Sequence, residues 1–277
     1  MLVNSEHLLS EALKNGYAVP AYNINNLEWT KSILEVCSED NSPVILAVTP
    51  GSIKYFGGYD VVFNTVKSLM FDLKIKIPVV LHLDHATSFE ECKRAIDAGF
   101  TSVMIDASKS SIEENINITN SVIDYASKKN VTVEAEVGSF DGKDLHASLD
   151  DVSKFVLRTG VNSIAPAIGN YHGFYKEEVN LDFELLGAIA KETRIPLVLH
   201  GASFLDENKI KTAIFCGVSK ININTDLQKA WSDNVRGFLD YNKDICDPRL
   251  IIGSGMSALK KRVHYNNSLF GSKNRAF

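Results

Sequence analysis

The sequence predicts a closed (β/α)8 barrel, a TIM barrel, as a single domain over residues 1–277 with extra helices at its C-terminal end. Three observations lead there. Short apolar runs alternate with amphipathic segments at intervals of roughly 25–35 residues, the spacing of βαβ units. The runs rarely alternate polar with apolar, as expected of parallel strands covered on both faces. Eight such units fit a chain of 277 residues. An open doubly wound sheet is the competing arrangement, but no dinucleotide-type glycine pattern follows the first strand.

The elements follow in order. Ser5 to Asn15 reads as a short helix with Leu8, Leu9, Ala12 and Leu13 on one face, stopped by Gly16. The first strand runs from Tyr17 to Tyr22, and a helix from Leu27 to Glu39 follows. Pro43 to Val48 is the second strand, opened by a proline where a ladder donor is least needed. Asp60 to Phe71 is helical, and Ile77 to Leu83 is the third strand. Ser88 and Glu91 make a capping pattern for a helix reaching Ala98. Ser102 to Ile105 is the fourth strand. Ser111 and Glu114 repeat the capping pattern for a helix to about Lys128. Val131 to Val137 is the fifth strand, and a helix runs from about Asp150 to Arg158. Ser163 to Ala167 is the sixth strand, Pro196 to Leu199 the seventh and Ser219 to Ile223 the eighth. Helices fill Phe183 to Thr193, Asn208 to Phe215, Asp226 to Leu239 and Gly255 to about Leu269.

Composition narrows the function classes. Apolar residues make up 45% and charged residues 23%, ordinary for a globular protein, and the net charge of -5 offers no basic field for nucleic acid. No apolar stretch is long enough to span a membrane. Asn4, Glu6 and His7 precede any apolar run, which does not read as a signal peptide. Cys37, Cys92, Cys216 and Cys246 form no CxxC pair and read as reduced thiols. The expected location is the cytoplasm.

The chemistry gathers at strand ends. In a barrel all strand C-termini face one way, so His85, Asp106, Glu136, His172, His200 and Asn222 are expected around one mouth. Three histidines on different loops can converge on a borderline metal such as Zn²⁺ and leave a position open for substrate. The ordinary alternative is that one or two are core or surface histidines, since the chain has seven. His82 is expected on the opposite side of its strand from Leu81 and Leu83, as a structural or supporting residue. Asp84 and Asp106 sit near the same mouth, where a carboxylate exchanges a proton with substrate or orients a ligand. Glu134 and Glu136 share a strand face and must meet the mouth or pair with a cation, because unpaired burial is costly. Gly169, Gly173, Gly201, Ser203, Asn224 and Thr225 follow strands six to eight, where barrels often bind phosphate; the plain alternative is ordinary turns.

Several ordered blocks carry a resemblance. They include Pro20-Ala21-Tyr22-Asn23-Ile24-Asn25-Asn26, His82-Leu83-Asp84-His85, Val133-Glu134-Ala135-Glu136-Val137-Gly138 and Gly169-Asn170-Tyr171-His172-Gly173. Leu199-His200-Gly201-Ala202-Ser203, Lys220-Ile221-Asn222-Ile223-Asn224-Thr225 and Asp247-Pro248-Arg249 continue them. The chain resembles the class II, zinc-dependent fructose-bisphosphate and tagatose-bisphosphate aldolases over essentially its whole length.

The resemblance implies one catalytic zinc ion on His85, His172 and His200, with Asp106 and Glu136 beside it. It implies Asp84 as acid and base at the C4 oxygen of the sugar, and Asn222 holding dihydroxyacetone phosphate. Gly173, Gly201, Ser203, Asn224 and Thr225 would cradle the phosphate, with a sodium or potassium ion nearby. Arg249 would reach into a neighbouring subunit, in a homodimer or homotetramer. The chain departs from the family pattern after Glu136. The loop over 138–150 is short, Asp141 and Lys143 replace a glycine and an acid, and Asp144 falls where the family's loop glutamate stands. A related lyase or epimerase on another phosphorylated sugar, or a weakly active metal- and sugar-phosphate-binding protein, are the alternatives these changes raise.

Overall fold

The computed structural model describes residues 2–138, 146–171, 173 and 178–277. Eight parallel strands close in the order β1-β2-β3-β4-β5-β6-β7-β8. They are β1 (Val19–Asn23), β2 (Val44–Val48), β3 (Val79–Ala86), β4 (Ser102–Ile105), β5 (Thr132–Val137), β6 (Ser163–Pro166), β7 (Leu197–Leu199) and β8 (Val218–Ile223). β1 pairs with β8 through four register partners, Val19 with Lys220 to Tyr22 with Ile223, which closes the barrel.

The helices are α1 (Glu6–Asn15), α2 (Leu27–Glu39), α3 (Pro50–Phe56), α4 (Tyr59–Asp72), α5 (Phe89–Ala98) and α6 (Ile112–Ala126). They continue with α7 (Leu149–Thr159), α8 (Phe183–Thr193), α9 (Glu207–Phe215), α10 (Thr225–Tyr241), α11 (Pro248–Ser254) and α12 (Met256–Leu269). Side-chain caps start several of them: Ser88 accepts from Glu91 N, Ser111 from Glu114 N, and Asn26 from Trp29 N. At the first of these the Glu91 carboxylate also reaches back past the cap and accepts from Thr87 N at 2.8 Å, a close relative of the capping box.

Two short helices were not expected from the sequence. Both α3 and α11 are seven residues long, too short to show a period. Each begins with proline at its first position behind a capping side chain, Thr49 or Asp247. β1 also runs one residue further than expected, to Asn23.

The core lies in two parts. The larger lies between strands and outer helices and includes Leu81, Leu83 and Val103. The smaller fills the N-terminal end of the barrel: Leu8, Leu9 and Ala12 of α1 pack on Val19, Ala21, Ile45 and Val80. α1 therefore plugs one end, and the Ser5 hydroxyl meets Thr132 Oγ1 at 2.8 Å beside the plug. The other end stays open. Among the described residues no helix is long and apolar enough to cross a membrane.

Candidate active site

A cavity of about 650 Å³ opens at the C-terminal end of the strands. Asp84, His85, Asp106, Glu136, Gly173, Gly201, Ser203, Asn222, Asn224 and Thr225 line it, together with Asn23, Thr49, Ser108 and Lys109. His200 is fully buried beside it, its ring 4.7 Å from that of His85. His172 and Asp144 lie outside the described residues.

Asp84 and His85 are consecutive, yet both face this cavity. A regular strand sends neighbours to opposite faces. The conflict is resolved in the backbone: the β3–β4 register shifts between Leu83 and Ala86, and His85 adopts a left-handed φ of +53°. That conformation is uncommon for a residue with a Cβ, and its strain is a known companion of functional sites.

Asp84 is buried and receives two amide donors, Asn23 Nδ2 at 2.9 Å and Asn222 Nδ2 at 3.1 Å. Burial alone would raise its pKa, but His85 foremost, then Lys220 and the other imidazoles, hold the carboxyl well below the usual range. Asp106 is held at about 2, where burial is outweighed by hydrogen bonds from His85 and Ser108. His85 Nδ1 meets Asp106 Oδ2 at 3.4 Å, and the Ser108 hydroxyl donates to Asp106 at 2.7 Å while its oxygen also lies 3.1 Å from Glu136 Oε1. Glu136 is raised by burial despite the nearby imidazoles.

Below the cavity lies a buried polar layer. Lys220 Nζ stands 2.6 Å from Glu134 Oε2 and 3.2 Å from His82 Nε2. Glu134 Oε1 meets His200 Nε2 at 3.1 Å. This is how the barrel interior tolerates Glu134, as expected of a buried carboxylate. Burial opposes charge on both imidazoles. It lowers His82 to about 3, whereas the contacts with Glu134 and Glu136 overcome it at His200 and raise that ring to about 9.

The donor set suits a divalent metal. Ligand atoms of Asp84, His85 and His200 lie within 4.8 Å of one another, as do those of His85, Asp106 and Glu136. Glu136 Oε2 is buried with no hydrogen bond among the described residues, although His200 Nδ1 faces it at 3.3 Å. A cation would satisfy such an oxygen.

The glycine, hydroxyl and amide residues expected to hold a phosphate line the cavity on its β6–β8 side. Thr225 opens the 17-residue α10, whose free N–H groups and dipole favour an anion. Ser203 Oγ accepts from Asp226 N in that first turn, at 3.2 Å. Asn224 Oδ1 is buried without a hydrogen bond among the described residues. Gly173 and Gly201 both have left-handed φ, +96° and +64°.

Arg249 is not brought to the cavity of its own chain. It sits on α11, exposed, with Nη2 2.7 Å from Asp247 Oδ2. Asn23, Thr49, Ser108 and Lys109 were not singled out from the sequence. Asn23 had a usable signal, since it is an amide closing an apolar strand, as Asn222 is an amide next to the last residue of β8. Ser108 had none, because a serine two residues past a strand is ordinary.

The chain is similar to known proteins over nearly its whole length. A family model described as Fructose-bisphosphate aldolase class-II matches residues 3–275. A fructose-bisphosphate aldolase of Geobacillus stearothermophilus is 47% identical, over 99% of each chain. One from Staphylococcus aureus (strain Mu50) is 45% identical over the same share. The crystal structure of the YdjI aldolase from Escherichia coli K12 superposes with a TM-score of 0.88 at 33% identity, covering 100% of both chains. With a whole-length family match, relatives this similar and a barrel whose mouth holds the motif residues, the chain belongs to the class-II fructose-bisphosphate aldolase family.

Proposed function

We propose that this protein reversibly cleaves a ketose 1,6-bisphosphate, of the fructose or tagatose configuration, to dihydroxyacetone phosphate and glyceraldehyde 3-phosphate. The observation that carries this reading is the convergence of Asp84, His85 and His200 donor atoms within 4.8 Å, beside Asp106 and Glu136. In this reading His85, His172 and His200 hold one zinc ion, with Asp106 and Glu136 as neighbouring carboxylates. When bound, the ion supplies stabilisation for negative charge developing at the ketone oxygen.

The chain's own groups do the rest. Gly173, Gly201, Ser203, Asn224 and Thr225 hold one phosphate at the start of α10, with a sodium or potassium ion beside it, and Asn222 orients the attached three-carbon unit. Asp84 is kept ionised and aimed by two amides, so it can take the C4 hydroxyl proton. As that proton leaves, the C3–C4 bond breaks, its electron pair stays on C3, and C4 becomes the aldehyde carbon. Asp144, on the loop over 138–150, returns a proton to C3. Arg249 serves the second phosphate in a neighbouring subunit of a homodimer or homotetramer, and the setting is cytoplasmic carbohydrate metabolism.

Steady-state triose phosphate release from both bisphosphates, with metal content measured on the same sample, tests this. Activity that EDTA abolishes and zinc restores is expected. Bound zinc with no carbon–carbon cleavage of either sugar would favour a binding protein instead.

A further inference from the structure

We propose that Lys220 fixes the tautomer of His200 through Glu134, and so chooses which ring nitrogen His200 turns to the metal site. The inference rests on the ligand role given to His200 above. Lys220 is fully buried on β8, does not line the cavity and therefore cannot meet substrate. Its ammonium group has only donors. His82 Nε2, 3.2 Å away, must then accept, which leaves the His82 proton on Nδ1 to donate to Ser102 Oγ at 2.8 Å. Glu134 Oε2 accepts from Lys220 at 2.6 Å, which keeps Glu134 ionised and able only to accept.

The other Glu134 oxygen faces His200 Nε2 at 3.1 Å. Two acceptors at that distance repel, so Nε2 carries the proton. Nδ1 faces Glu136 at 3.3 Å on the side of the donor cluster, so it is the nitrogen that would release its proton and offer a lone pair when a cation binds there. Ser102, His82, Lys220, Glu134 and His200 thus form one directional chain, and the polarity of every link follows from the lysine at its centre. Lys220 and Glu134 are positioning residues. Carboxylates behind a metal-ligating imidazole commonly act this way, but here a buried cation decides what the carboxylate can do.

The test uses cobalt(II) as probe, reading its affinity and visible spectrum on the full chain, with thermal melting as the folding check. In Glu134→Gln, Lys220 claims the amide oxygen. The amide nitrogen then faces His200, forces Nε2 to accept and moves the ring proton to Nδ1. Cobalt binding should weaken by about 10–100-fold. In the double variant Glu134→Gln with Lys220→Met, the amide is free to turn its oxygen to His200, and affinity should recover by about tenfold or more over the single variant, on the same scale. A merely structural role predicts the opposite, since losing a second buried partner adds damage. A folded double variant that binds cobalt no better than the single one overturns the proposal. Should Glu134→Gln fail to fold, histidine ¹⁵N spectra of the zinc-loaded unmodified protein decide: a proton on His200 Nε2 is expected, and one on Nδ1 overturns it. Unmodified protein that takes up no cobalt would remove the metal reading itself and this inference with it, a result distinct from normal uptake with no recovery.

Discussion

Asn222 at the end of β8 donates to Asp84 near the end of β3 at 3.1 Å, and Asn23 on β1 donates to the other carboxylate oxygen at 2.9 Å. Two neutral amides therefore fix the plane of a buried acid without neutralising it. The same acid sits within ligand distance of His85 and His200. A proton acceptor held this way needs no reorganisation when substrate arrives.

Asp84→Asn keeps the volume and removes the base. Turnover should fall by about 10²–10⁴-fold, the usual worth of a positioned acid or base, while metal content stays the same. Single-turnover cleavage and elemental analysis on one sample measure both. Normal turnover in the variant would sink the role.

Asn23→Ala removes one of the two donors. The carboxylate form of Asp84 is then less favoured, so its pKa rises. The group is active when ionised, so the acid limb of the kcat profile should move to higher pH. A pH–rate series read against the unmodified protein checks this; an unmoved limb, or one shifted to lower pH, counts against the arrangement.

The thiols should divide by burial. Burial pushes Cys92 to about 12 and Cys37 higher still, while Cys246 is exposed and Cys216 half-buried. At pH 8 a thiol of pKa about 12 is thiolate in about one molecule in ten thousand, and the thiolate is the nucleophile. Ellman's reagent should modify Cys246 at once, Cys216 slowly, and Cys37 and Cys92 only after unfolding. Fast reaction of all four in the native protein would contradict the packing.

Gly169→Ala tests the loop that leads toward the β6–β7 side of the mouth. Gly169 has φ +94°, and an added Cβ would lie 2.6 Å from the Asn180 carbonyl oxygen. A loss of about 1–3 kcal/mol is expected from such a strained residue, read as a lower midpoint in denaturant. An unchanged midpoint would show that the loop can shift freely.

Most of the architecture was legible because it is written in periodicity and caps. Ser88 and Ser111 mark helix starts in the sequence and accept their amides in the structure. The placement of His82 was legible too: it lies opposite Leu81 and Leu83, which pack in the outer core. The short helices α3 and α11 were missed because seven residues give no period, although a proline behind Thr49 or Asp247 was a signal.

The candidate site was legible where strand ends carry unusual residues. Asp84, His85, Asp106, Glu136 and Asn222 do meet around one cavity. What could not be read is the register shift that lets Asp84 and His85 share a face, because it depends on β4 pairing and not on local preference. Nor could the link from Lys220 to Glu134, 86 residues apart, be foreseen. That contact exists only once the barrel closes, and Lys220 in isolation reads as a lysine opening a strand.

The central claim is that imidazoles from distant strands meet on one cation at the barrel mouth. Anomalous diffraction at the zinc edge from zinc-soaked crystals tests it most directly. The expected result is a single strong peak bounded by His85, His172 and His200, next to Asp84. A map without a peak there, or with zinc bound only at surface carboxylates, would contradict it.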